Sequence, residues 1–137
     1  MIANPYLNFP GNTEQVFETY RGVFGGEFGT VMRFGDMPVA EKIPEAVRGL
    51  IMHINLPIGE GAALMGSDAV DGFGPPVTYG NNISISLAPA SREEADRLFA
   101  ALSEGGHVGM PMQQAFWGSY FGMCTDKFGV NWMLSVG

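Results

Sequence analysis

Charge is scarce in this chain of 137 residues. Asp, Glu, Lys and Arg together make up 15% of it, against roughly 25% in an average globular protein. Basic residues are scarcest. Seven Lys and Arg stand against fourteen Asp and Glu, a net charge of −7, the wrong sign for a protein that grips a phosphate backbone, so no nucleic-acid partner is expected. No apolar run approaches the ~20 residues that cross a bilayer, so no membrane partner is expected either. The opening MIANPYLNF has no basic segment followed by an apolar stretch, so no secretory signal is visible. One cysteine, Cys124, cannot form an internal disulfide, which suits a reducing, cytoplasmic setting. A glycine-rich nucleotide turn is missing too. The nearest string, Gly59-Glu60-Gly61, lacks a third glycine and runs into a strand pattern, so it reads as a hairpin turn.

What is present is apolar. Hydrophobic residues make up 46% of the chain, too many for a disordered segment, and the length fits one domain over residues 1–137. Within it lies a weak repeat. The first copy, about residues 4–67, opens with a short strand, Tyr6-Leu7-Asn8-Phe9. Asn12, with Gln15 three residues on, marks a helix start. Val16, Phe17, Tyr20, Val23 and Phe24 then recur at helical spacing, and Gly25-Gly26 stops the helix. The second copy, about residues 81–136, opens with the alternating Ile83-Ser84-Ile85-Ser86-Leu87. Ser91 with Glu94 forms a capping box, Ala95, Leu98, Phe99 and Leu102 make the stripe, and Gly105-Gly106 ends it.

Three strand-like stretches follow each helix: residues 28–34, 50–56 and 62–65 in the first copy, and 107–112, 120–125 and 131–136 in the second. Each unit is therefore strand, helix, strand, strand, strand, an α+β fold built as two βαβββ repeats. Residues 35–49, with Pro38 and Pro44, read as a loop or a short helical excursion. Residues 68–80, rich in Gly and Pro, read as the linker between copies. Neither unit is long enough to stand comfortably alone.

Two such units, together with the strings PYLNFPGNTEQVFETYRGVFGGE (5–27), RFGDMP (33–38), ALMGSD (63–68) and QAFWGSYFGMCTDKFGVNWML (114–134), resemble the vicinal oxygen chelate superfamily of glyoxalases, bleomycin-resistance proteins and extradiol dioxygenases. The strings resemble its PhnB-like branch in particular, whose old label is 3-demethylubiquinone-9 3-methyltransferase. The resemblance implies a glyoxalase-like incomplete barrel and a homodimer. The methyltransferase label is not carried over, for want of a nucleotide-binding turn.

Metal-using members of that superfamily place His and Glu on four strands, where the ion activates a substrate oxygen. Laid on this chain, the pattern falls at Pro5 or Tyr6, at Leu64 or Met65, at Ile83 or Ser84, and at Met133. None of these is His, Asp or Glu. Phenol, hydroxyl and thioether do not hold zinc, nickel or divalent iron in water, so no metal and no other cofactor is expected, and no catalytic residue is assigned.

The remaining candidates are binding residues. His53 and Asn55 share one face of an alternating strand. Met65, Phe116, Trp117, Tyr120 and Trp132 fall where the resemblance puts cavity walls, and nine methionines with sixteen aromatics supply adaptable apolar surface. These residues are expected to line the site of a small, partly apolar ligand. Two alternatives stand beside that binder. One is an enzyme of the superfamily with displaced metal ligands or with acid–base chemistry at His53. The other is a resistance-type binder that sequesters an aromatic antibiotic. His107 is expected at the surface, Asp68 at a turn, Cys124 as an inert core thiol, and Arg33 in a surface pair with Asp36.

Overall fold

The computed structural model describes residues 1–38, 40–72 and 74–137; Val39 and Phe73, in the two expected loop stretches, lie outside the described residues. The chain divides into two compact units, Met1–Thr78 and Tyr79–Gly137. The division falls near the end of the expected linker.

In the first unit, β1 (Tyr6–Phe9) leads to α1 (Thr13–Phe24), then β2 (Val31–Arg33), β3 (Ile51–Gly59) and β4 (Ala62–Asp68). The sheet order is β1-β4-β3-β2, with β1 parallel to β4 and the other pairs antiparallel. In the second unit, β5 (Ile85–Leu87) leads to α3 (Arg92–Ser103), then β6 (His107–Gln114), β7 (Tyr120–Thr125) and β8 (Asn131–Val136). Its order, β5-β8-β7-β6, repeats the first with the same pattern of parallel and antiparallel pairs. The two βαβββ repeats are therefore real. Each sheet is open, and neither closes into a barrel.

Each helix lies on one face of its own sheet. Val16, Phe17 and Tyr20 of α1 meet Ile54, Leu56 and Leu64, all with almost no exposed surface. Burying side chains of this size contributes about 1.5–3 kcal/mol each. The helix comes so close that a Cβ at Gly66 would stand 2.9 Å from the Phe17 ring and 2.7 Å from the Leu7 carbonyl oxygen. In the second unit Leu98, Phe99 and Leu102 pack with Cys124, Trp132 and Leu134.

The helix starts differ from the sequence reading in one case. In the second unit the Ser91 hydroxyl accepts the Glu94 N–H at 3.1 Å, while the Glu94 carboxylate takes the Ala90 N–H at 3.0 Å. In the first unit Asn12 makes no side-chain cap. The cap comes from Asp68, at the end of β4, whose Oδ1 accepts the Thr13 N–H at 2.9 Å. Its other oxygen accepts the Ile51 N–H at 2.7 Å. Asp68 is thus a buried clamp between helix and sheet rather than a turn residue. Its role was hidden because its partners lie far off in sequence. Strand β2 is shorter than expected at both ends: it begins only at Val31, and after Arg33 the chain turns at Phe34–Asp36, where the Asp36 carboxylate takes the Arg33 backbone N–H. The 35–49 stretch is the helical excursion: Ala40–Lys42 forms a 3-10 turn and α2 (Glu45–Arg48) one turn of helix. Phe34, Ile43 and Val70 form a small core of their own beneath it.

Candidate functional site

Alternation along the strands decides which side chains are free to meet a ligand. In the first unit Ile54, Leu56, Leu64 and Gly66 point to α1, so His53, Asn55, Met65 and Ser67 point to the opposite, helix-free face. Register puts Tyr6 beside Met65, Met65 beside Asn55, and Met32 beside His53 on that face. Three of the expected wall residues are therefore brought together. A fourth member was missed. The Tyr6 hydroxyl lies 3.0 Å from His53 Nδ1, and the two rings stack at 5.6 Å between centroids. When Nδ1 carries no proton, the phenol donates to it. The sequence points to Tyr6 only as a metal position, because its contact with His53 spans 47 residues of sequence. Asn55 lies at the β2 side of the face, where a Cβ at Gly29 would stand 3.1 Å from its Oδ1.

Beside this face, around Tyr6, Asn8 and Ser67, opens a cavity of about 540 Å³, walled further by Phe34, Val70 and the segment 74–78. Its size falls within the range of small-ligand pockets, roughly 300–1,000 Å³. The Ser67 hydroxyl and the Asn8 amide oxygen are hydrogen-bonded at 3.0 Å, so the wall nearest Tyr6 is polar.

The second unit places its expected wall residues less uniformly. Trp132 is fully buried on the helix-facing side, with its indole N–H donated to Asp126 Oδ2 at 2.8 Å. Tyr120 points the same way. Its hydroxyl donates to Asp96 of α3 at 2.6 Å, and Arg92 sits 4.6 Å over its ring. The Asp96 carboxylate holds that phenol above its ordinary pKa. Trp132 thus sits in the core, although it also borders a pocket of about 290 Å³, and Tyr120 sits at the helix–sheet contact, as their even-numbered register with Gly122 and Cys124 requires. Phe116 and Trp117 lie in the turn between β6 and β7, 98% and 54% exposed. Trp117 packs edge-on against Phe116 at 5.0 Å and Phe121 at 5.5 Å.

The helix-free face of this sheet carries side chains that were not singled out as a group. Ser86, Met133, Met123 and Met110 form one row across β5, β8, β7 and β6. A shallow pocket of about 290 Å³ lies beside the row, lined by Asn81, Ser84, Thr125, Asn131 and Met123 among others. The signal that would have found the row is period-2 alternation combined with strand pairing.

The metal positions can now be placed by register. Tyr6 pairs with Met65, and the equivalent pair in the second unit is Ser86 with Met133. The third position is therefore Ser86 rather than Ile83 or Ser84. A phenol, a hydroxyl and two thioethers do not fit the divalent centre of metal-using relatives. Among the described residues no three His, Cys, Asp or Glu side chains come together in a metal-binding group.

The remaining candidates fall into structural roles. Cys124 is 3% exposed, and burial pushes its thiol up to about 11, so it stays protonated and unreactive at neutral pH. Arg33 pairs with Glu14 rather than through its side chain with Asp36. The guanidinium donates to both Glu14 oxygens at 3.0 and 2.7 Å and to the Gly49 carbonyl at 2.8 Å. Gly59–Gly61 is the β3–β4 hairpin turn, with Gly61 at φ +73.

Comparison with known proteins follows the same lines. The family model described as 3-demethylubiquinone-9 3-methyltransferase matches residues 2–135. Protein YjdN of Escherichia coli K12 is 34% identical over 144 residues, covering 99% of this chain and 95% of that one. The crystal structure of PA1353 from Pseudomonas aeruginosa superposes with a TM-score of 0.85 at 41% identity, over 99% of this chain and 97% of that one. A PhnB protein from Bacillus cereus gives 0.79 at 23% identity with both chains fully covered. A protein described as a glyoxalase from Bacillus halodurans gives 0.63 at 18%, over 100% of this chain and 96% of that one. The last two speak to the fold alone.

Proposed function

The chain belongs to the 3-demethylubiquinone-9 3-methyltransferase family and has the fold of the glyoxalase/bleomycin resistance proteins; on that premise we propose that it binds a small, partly apolar molecule on the helix-free face of its first sheet, without the divalent metal centre of catalytic relatives. The observation that carries this reading is the Tyr6–His53 pair. A phenol and an imidazole are hydrogen-bonded to each other on a face that also carries Met65, Met32, Asn55 and Ser67, and the phenol of the pair, Tyr6, lines a cavity of about 540 Å³. Small-ligand sites combine apolar surface with a few placed polar groups. Methionine adapts to the ligand's shape, and the phenol and imidazole fix its orientation. The methyltransferase activity in the family's name is not part of the proposal, because the one candidate glycine turn is a hairpin.

The same pair supports a second reading. An imidazole held in place by a phenol is positioned to act as a general acid or base, so catalysis on the bound molecule would run through His53. We also take the protein to be a cytoplasmic homodimer whose two units fold as one domain. The exposed Phe116 and Trp117 are the surface that most needs a partner.

Aromatic and methyl NMR signals, followed while a panel of small aromatic and aliphatic compounds is added, test the site. A true ligand shifts Tyr6, His53 and Met65 saturably. The Tyr6→Phe and His53→Gln variants keep the fold and weaken binding, each by roughly tenfold, the worth of one hydrogen bond to a placed group. Saturable binding that leaves these three residues unmoved would overturn the assignment. An activity that survives His53→Gln would remove the catalytic version.

A further inference from the structure

Met123 and Met133 stand directly opposite each other on β7 and β8, and Met110 of β6 pairs with Met123 at an irregular point of the ladder, with register shifts on both sides of it, on the face of the second sheet that the helix does not cover. Cβ atoms of directly opposed residues lie about 4.5–5.5 Å apart, so three thioethers start within about 10 Å. Each side chain has three rotatable bonds with which to converge. All three are half-buried, sheltered from bulk water yet reachable.

The neighbouring rows matter as much. On one side stand His107, Thr125 and Asn131, and on the other Gln113, Phe121 and Ser135. Neither row carries Asp or Glu, so a hard cation finds no carboxylate there. Neither carries Lys or Arg, so a cation meets no fixed repulsion. We propose that the methionine row is a soft-metal site that takes one monovalent copper ion, or silver in its place, through thioether sulfur.

Thioether donors select Cu(I) over zinc, magnesium or calcium. They are neutral and lose no proton on binding, so affinity should hold at mildly acid pH, where cysteine and histidine sites weaken. His107 is a row away at the exposed edge of the sheet. Cys124, the other soft donor, neighbours Met123 in sequence and therefore points to the opposite face, where it is 3% exposed. The proposal rests on residues other than those of the Tyr6–His53 reading and would stand if no organic ligand were found there.

The test uses the full chain under anaerobic conditions. Cu(I) is supplied as its bicinchoninate complex, and in a parallel experiment Ag(I) is added while methionine methyl signals are recorded. The expected result is withdrawal of about one equivalent of copper from the chelator. The methyls of Met110, Met123 and Met133 should shift together, with Met32 and Met65 unmoved. Met123→Leu, a swap that conserves volume, should weaken binding at least roughly 10- to 100-fold, the loss known for groups that only support a metal ligand. Met110→Leu, on the exposed edge strand, serves as a second variant should the first disturb the sheet. Cys124→Ser should bind as the parent does. No copper withdrawn, unchanged affinity in both leucine variants, or loss of binding in Cys124→Ser would each sink the proposal.

Discussion

The two units share a sheet order yet secure it with aspartates placed at different points. In the first, Asp68 ends β4 and ties the start of α1 to the start of β3, two segments distant in sequence. In the second, Asp126 opens the β7–β8 turn and stays local. Its carboxylate accepts the backbone N–H of Phe128 at 2.9 Å and of Val130 at 3.0 Å, and the indole N–H of Trp132. The faces away from the helices differ as well: the first presents phenol, imidazole and amide, the second a row of thioethers. One architecture thus carries two surface chemistries. Since β1 with β4 and β5 with β8 keep the same parallel pairing, the fold does not dictate what stands on it.

The sharpest way to break this comparison is at the aromatics of the second unit. Trp132→Ala removes a fully buried indole and should cost about 3–5 kcal/mol, the range for large-to-small core changes. Trp117→Ala, at an exposed turn, should stay within about 0.5 kcal/mol. Urea midpoints for the two variants decide it. Similar losses would mean that Trp132 is not the core residue its burial implies.

Next come the two aspartates. Asp68→Ala strands the N–H groups of Thr13 and Ile51, both fully buried. Leaving a buried donor unpaired costs about 1–3 kcal/mol, so this variant should lose roughly 2–5 kcal/mol. Asp126→Ala frees more donors, but Phe128 and Val130 are half-exposed and water can replace the carboxylate. Its loss should be nearer 1–3 kcal/mol. Chemical denaturation of the pair sharpens the comparison, because an equal or larger loss at Asp126 would make the local clamp the stronger one.

Much of this was legible in the sequence. Helix stripes, glycine stops and strand alternation are local signals, and they gave two repeats whose strands the structure reproduces to within a few residues. The strings shared with relatives were legible too, but part of what they encode is architecture. In Asp126-Lys127-Phe128-Gly129-Val130-Asn131-Trp132, Asp126 builds the turn and anchors the indole. Gly129, at φ +92, leaves room for the Tyr79 ring, which a Cβ there would meet at 2.7 Å. Asn131 donates to the Gly80 and Ile83 carbonyls. Trp132 is expected at the cavity because the resemblance puts a wall there; pairing with Cys124 turns its ring toward the helix. The Tyr6–His53 contact was out of reach because it depends on β1 lying beside β4, and the order β1-β4-β3-β2 is not the order of the chain. The methionine row follows three consecutive strands but needs their register, which shifts on both sides of Met110.

The smallest effects concern pH, and they too divide the units. Arg33 grips Glu14 of α1 with both oxygens, and that hydrogen bonding holds the Glu14 carboxyl below its usual range. A depressed carboxylate contributes stability that is full above its unfolded value, near pH 4–5, and fades as pH falls through the lower folded value. Both side chains stand partly in water, so the contribution is below about 1 kcal/mol. At the matching place in the second unit Arg92 donates to the neutral Gln114 amide, and Tyr120 donates to Asp96. Tyr120 is shifted upward, so its contribution is present below the ordinary tyrosine value near pH 10 and is lost only as pH climbs through the raised one. Melting temperatures across pH 3–6 should therefore fall less steeply in Glu14→Gln than in the parent, whereas Tyr120→Phe should change only the alkaline limb. An acid limb unmoved by Glu14→Gln would show that the Arg33 bridge, though bidentate, is dissolved by solvent, leaving the first helix held to its sheet by Asp68 and packing alone.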